Sequence, residues 1–86
     1  MASTAWGAAE VVEEIKLPQS ADGKRFATHV QLLETAKGEW LVRFAYSTDG
    51  TARRGPVTLR GADLERLRKA LAKKPRLRAA LDLGSD

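Results

Sequence analysis

The sequence predicts an α+β domain of order β-β-β-β-α, and three observations carry that prediction. Residues 25–34 and 39–47 alternate side chains with the period of two that a strand requires. Clusters of turn formers bound them: Pro18-Gln19-Ser20-Ala21-Asp22-Gly23, Thr35-Ala36-Lys37-Gly38 and Thr48-Asp49-Gly50-Thr51. Beyond residue 60 the period lengthens, and Leu64, Leu67 and Leu71 fall on one face of a helix over Ala62–Lys74.

Taken in order, residues 1–8 are small and unpatterned, which predicts a flexible tail before a single domain over 9–83 and a short tail at 84–86. Glu10–Leu17, with Val11, Val12, Ile15 and Leu17 among acids, is the first strand. In the second, Arg25–Glu34, Phe26, Thr28, Val30 and Leu32 share one side, and Ala27, His29, Gln31 and Leu33 the other. A hairpin leads to Glu39–Ser47, which sets Trp40, Val42, Phe44 and Tyr46 against Leu41, Arg43 and Ala45. Arg53-Arg54-Gly55-Pro56 prolongs the following loop, and Val57–Leu59 is a short fourth strand whose leading proline suits an edge. The helix begins poorly capped, since Arg60-Gly61 offers no side-chain acceptor, although Asp63 and Glu65 favour the positive end of its dipole. Pro75 ends it, and Leu77, Ala80, Leu81 and Leu83 predict a short second helix that Gly84 stops.

A chain of 86 residues has room for one core, and it lacks cysteine for disulfides. A single histidine without cysteine argues against a structural zinc site, so no metal and no cofactor are expected. The N-terminal residues have no basic and apolar leader pattern, and no apolar run is long enough to span a membrane, so a cytoplasmic protein without membrane contact is expected. Buried area is most readily gained by dimerisation, and the helix stripe Leu64, Leu67 and Leu71 is expected to meet the apolar face of the sheet.

Charge supplies the functional signal. Residues 1–48 carry five Lys/Arg against six Asp/Glu, whereas residues 49–86 carry ten against five. That asymmetry points to a polyanion. Arg53 and Arg54, side by side in a loop, are suited to gripping phosphate in a forked geometry. Arg43 lies among small side chains on the polar face of the sheet. In a regular strand Arg43 and Tyr46 face opposite ways, and only a bulge or strand end would bring both to one ligand. Core packing is the expectation for Trp40 and Phe44. His29 lacks visible partners for a metal or a triad, and the serines lack a strained nucleophile turn, so catalysis of a small-molecule substrate is not expected.

Several of these features in series are familiar: Arg43 to Tyr46 in one strand, the Asp49-Gly50 turn, the basic Arg53-Arg54-Gly55 turn, and Val57-Thr58-Leu59 running into the helix. Over about residues 10–72 the chain resembles the positive cofactor 4 family of single-stranded DNA-binding transcriptional coactivators and their small bacterial relatives. The resemblance implies a curved four-stranded antiparallel sheet followed by a helix, and a dimer built through the helices. It also implies that bases stack on aromatics while Lys and Arg meet phosphates. By position it assigns Lys24, Arg25 and Phe26, Arg43 and Tyr46, and Arg53 and Arg54 to nucleic-acid contact. The expected function is therefore binding of single-stranded DNA or RNA with little sequence preference, associated with transcription, and with the nucleoid if DNA is the ligand. The alternative is a homodimeric protein-interaction module in which the helices dock on a partner and the charge serves solubility.

Overall fold

Five strands follow one another as a meander in the computed structural model, which describes residues 2–53 and 55–82. They are β1 (Ala2–Thr4), β2 (Gly7–Ala21), β3 (Lys24–Thr35), β4 (Trp40–Thr48) and β5 (Thr51–Arg53), in one antiparallel sheet whose spatial order equals the sequence order. Two helices, α1 (Gly61–Leu71) and α2 (Pro75–Leu81), follow. The α+β class and the sheet-then-helix order agree with the expectation, but the strands number five rather than four. Of the expected elements, Arg54, Leu83 and Gly84 lie outside the described residues, as does the short tail at 84–86.

The sheet differs from expectation at both ends. Residues 2–8, expected as a tail, form β1 and the start of β2, with Ala2, Ser3 and Thr4 opposite Ala9, Ala8 and Gly7. The Thr4 hydroxyl ties that turn, donating to the Gly7 carbonyl at 2.6 Å and accepting from the Trp6 amide at 3.0 Å. At the other end Val57–Leu59 stands outside the sheet, and Thr51–Arg53 takes the last place. Gly55 at φ +137° turns the chain away, and Pro56 has no N–H to extend a ladder.

Two Asp-Gly turns set the registers. Asp22-Gly23 and Asp49-Gly50 both have positive φ at each residue (51° and 77°), the two-residue hairpin geometry that matches the twist of the flanking strands. β2 therefore runs straight through Pro18, which stands opposite Ala27. In a strand a residue's N–H and C=O point the same way, and the Pro18 carbonyl accepts from Arg66 Nη2 at 2.9 Å on the outer edge of β2. The missing N–H thus falls on that edge, where β3 does not need it.

Near its start β2 carries a bulge at Val12, between the pairs Val11–Leu33 and Glu13–Leu32. Val12 packs against the core, and Glu13 Oε1 accepts the Leu77 amide at 2.7 Å, which caps the first turn of α2 from the sheet. The core itself lies between the helices and one face of β2 and β3: Ile15, Leu17, Val30 and Leu32 meet Leu67 and Leu77, with Val42, Leu59, Leu71 and Leu81 around them.

The N-terminus of α1 is better held than the sequence suggests. Asp63, at 1% exposure, accepts the Arg60 amide at 3.1 Å and Arg60 Nε at 3.2 Å, so the acceptor comes from the third helical residue rather than from the cap position. Gln19 Nε2 donates to it at 2.9 Å from β2, and Gln19 Oε1 accepts the Thr28 hydroxyl. Arg66 Nη1 completes the set at 3.3 Å. The Arg60 side chain and amide, with Gln19, hold the Asp63 carboxyl below the ordinary aspartate range against the opposing pull of burial.

Candidate functional site

The face of the sheet turned away from the helices is concave. Register places Arg43, Ala45 and Ser47 of β4 beside Gln31, His29 and Ala27 of β3, all on that face. Arg43 Nη1 donates to the Ser3 carbonyl of β1 at 3.2 Å. In a flat sheet β1 and β4 would stand three intervals apart, roughly 14 Å before any offset along the strands is added, which exceeds an arginine's reach. The sheet has curled into a half-barrel, and Arg43 spans its inside.

A polar chain runs along the floor of this half-barrel. Arg43 Nε donates to Gln31 Oε1 at 3.1 Å, Gln31 Nε2 donates to Glu14 Oε2, and the same oxygen meets His29 Nδ1 at 3.3 Å. His29 Nε2 then lies 2.9 Å from Ser47 Oγ. His29 thus has the partners that the sequence did not reveal, because they come from the two strands on either side of its own.

Ser47, His29 and Glu14 are in line as a nucleophile, base and orienting acid would be. Ser47, however, sits in regular strand between Ala27 and Ala52, and the sheet ladder occupies the backbone around it. Among the described residues Ser47 lies within the strand rather than on a turn of the nucleophile-elbow kind. The chain of hydrogen bonds orders a polar floor.

The groove above that floor has a volume of about 710 Å³, and Lys16, Arg43, Phe44, Tyr46 and Arg53 all reach it. Arg43 and Tyr46 do point to opposite faces, since Tyr46 stands opposite Thr28 on the helix side. Both nevertheless line the groove, and β5 pairs only with Tyr46–Thr48, so that no strand among the described residues covers the outer edge of Trp40–Ala45. Arg53 is steadied by a 2.6 Å hydrogen bond from Nε to Thr48 Oγ1. Arg54, assigned with it from the sequence, lies outside the described residues.

Lys24, Arg25 and Phe26 line a different hollow, about 390 Å³, at the turn end of the sheet together with Pro56, Val57 and Thr58. Tyr46 lines this one too, so it stands between the two groups of assigned residues.

The aromatics of β4 correct the expectation of a core role. Trp40 is 50% exposed and Phe44 46%. Both point to the helix side, but the helices cover β2 and β3 and stop short of β4 beyond Val42. Trp40 is engaged at its rim: Nε1 donates to Glu34 at 3.0 Å, and the Arg76 guanidinium lies 4.9 Å above the ring. Phe44, half-exposed on the helix side, is also among the residues that line the groove, and its exposure is what sequence reasoning missed. The available signal was length, because two helices with three or four core-facing residues each cannot roof a sheet this wide.

The leucine stripe divides. Leu67 is buried and Leu71 packs against the chain's own core, while Leu64 is 52% exposed. No helix among the described residues is long and apolar enough to cross a membrane.

Comparison of the chain with protein-family models, with curated proteins and with solved structures returned no match.

Proposed function

We propose that the protein binds single-stranded nucleic acid along the concave face of its half-barrel, with little preference for sequence. One observation carries this reading: Arg43, Phe44, Tyr46 and Arg53 line a single groove. Strands of unpaired bases need cations for the backbone and exposed aromatic faces for stacking, and this groove offers both. Bases would stack on Phe44 at the open edge of β4, with phosphates toward Arg53 and the upper reach of Arg43. The path continues past Tyr46 to Lys24, Arg25 and Phe26.

A double helix fits this geometry poorly. The aromatic edge is useful only to bases already unstacked, so single strands are favoured over duplex. The resemblance to the positive cofactor 4 family supports the same ligand and suggests a transcription-associated, cytoplasmic role, at the nucleoid if DNA is bound. Dimerisation through α1 is left Leu64 as its exposed leucine, and the groove reading does not depend on it.

The test is fluorescence anisotropy of a labelled single-stranded 20-mer titrated with protein at several salt concentrations, beside the matching duplex. Micromolar or tighter binding that prefers the single strand and weakens with salt is the expected result. No binding at low salt, or equal binding of duplex, overturns it.

A further inference from the structure

Four lysines surround a second hollow on the far side of β2. Lys16, Lys69, Lys73 and Lys74 line it with Glu14, Ile15 and Ala70, and its volume is about 360 Å³. Among the described residues none of these lysines makes a side-chain ion pair or hydrogen bond. The arginines nearby behave differently: Arg60 and Arg66 are held by Asp63, Arg68 by Glu65, and Arg76 by Glu34. The one carboxylate in the hollow, Glu14, is already engaged with His29 and Gln31. Lys69 lies in the last turn of α1, and Lys73 and Lys74 follow directly beyond its end. The fold therefore gathers positive charge here that it does not neutralise.

The hollow and the groove share two lining residues. Glu14 and Lys16 line both, and between them lies the outer edge of β2, which no strand covers beyond Ala9. Lys16 is on the concave face, opposite His29, and its long stem reaches the rim that α1 approaches from the other side.

We propose that Lys16, Lys69, Lys73 and Lys74 form a phosphate track that carries the backbone of a bound single strand out of the groove, over the β2 edge and along α1. The track rests on the nucleic-acid reading of the groove. Its chemistry is non-specific: ammonium groups on flexible stems meet phosphates as point charges and release counterions. Among the described residues no aromatic lines this hollow, so the track adds affinity through charge and length of strand, and the stacking stays in the groove.

The experiment compares three forms of the full chain: wild type, Lys69→Gln/Lys73→Gln/Lys74→Gln, and a control, Lys37→Gln/Arg78→Gln, at positions that line neither hollow. Each is titrated with an oligothymidylate 20-mer and with an 8-mer over a range of salt. For the 20-mer, the triple variant is expected to lose at least tenfold in affinity at low salt. Its log–log salt slope should be shallower by about two units, at about 0.7 per phosphate released. The 8-mer, which the groove alone accommodates, should bind all three forms alike, and the control should stay near wild type with the 20-mer. Wild-type binding with an unchanged slope in the triple variant overturns the track and leaves the groove intact. An equal loss in the control, charge for charge, also overturns it, because net charge rather than place would then be responsible. Failure of the wild type to bind either oligonucleotide removes the groove reading and the track together. Thermal unfolding of the three forms verifies that they are equally folded.

Discussion

Arg43 of β4 and Ser3 of β1 are joined by a 3.2 Å hydrogen bond across the inside of the sheet, from guanidinium to carbonyl. The residue assigned to phosphate contact is thereby also the tie that holds the half-barrel curled. Its second bond, to Gln31, fixes the plane of the guanidinium and leaves part of it toward the groove.

Replacing Arg43 by Ala should therefore act on shape as well as on affinity. Unfolding free energy in urea is expected to fall by about 1 kcal/mol, the usual net value of such a hydrogen bond at a partly exposed position. Amide exchange of Ala2–Thr4 should accelerate much more than that of β3. Unchanged exchange in β1 would show that the curl does not depend on this tie.

Phe44 offers a cleaner test of stacking. Phe44→Ala should weaken single-strand binding by about 1–3 kcal/mol, the range of one base on one aromatic face. Phe44→Leu preserves most of the apolar bulk and should lose nearly as much binding while keeping stability. If leucine restores affinity, the side chain serves as packing only.

Glu14 sets an opposing expectation. It is the acid in the floor of the groove, and Glu14→Gln removes a negative charge while retaining the capacity to accept from Gln31 or His29. Affinity for a single strand should rise several-fold at low salt, and the gain should fade as salt screens it. A loss would mean that the order of the polar floor outweighs its charge.

Asp63 governs the acid limit. Its carboxyl ionises below the ordinary aspartate range in the folded chain, chiefly through the Arg60 side chain, then the Arg60 amide. A depressed folded-state value contributes stability that is present above the unfolded-state value and is lost as pH falls through the folded one. Asp63→Asn should therefore be less stable than wild type near neutrality, and the difference between them should shrink from about pH 5 downward. Urea midpoints for both proteins across that range check it, and a difference independent of pH would remove the charge from the explanation.

Gly55 meets Tyr46 closely: a Cβ there would lie 3.3 Å from the Tyr46 hydroxyl oxygen, at a backbone φ of +137°. Gly55→Ala is expected to destabilise by about 1 kcal/mol or more, since its backbone conformation is foreign to alanine. Because the displaced ring borders both hollows, binding should fall with it.

Periodicity made the middle of the chain legible. Val30, Leu32 and Val42 face the helices as their alternation requires, and His29, Gln31 and Arg43 face the other way. What alternation lacks is any record of how far a roof extends, and so Phe44 and Trp40 were placed with the core. Nor does it show which polar residues of different strands become neighbours; Glu14, His29 and Ser47 are brought together by register alone. The β1 hairpin was hidden because Ala2-Ser3-Thr4 and Gly7-Ala8-Ala9 have no apolar contrast, and backbone pairing with a small-residue partner leaves no pattern. Asp63 went unnoticed as a cap because the cap residue itself, Arg60, carries no acceptor.

The strand order has a kinetic side. Every ladder of the sheet closes over a loop of a few residues, two of them with turns already set by Asp-Gly, so the meander can form from its own neighbours at little entropic expense. The helices are tied in by distant partners, among them Gln19 to Asp63, 44 residues apart, and Glu13 to the Leu77 amide, 64 apart. During synthesis the sheet thus emerges first with Ile15, Leu17, Val30 and Leu32 bare, and it must wait for its lid. A nascent chain halted before residue 61 would be an uncovered apolar sheet with an open β4 edge, the form of this protein most exposed to aggregation.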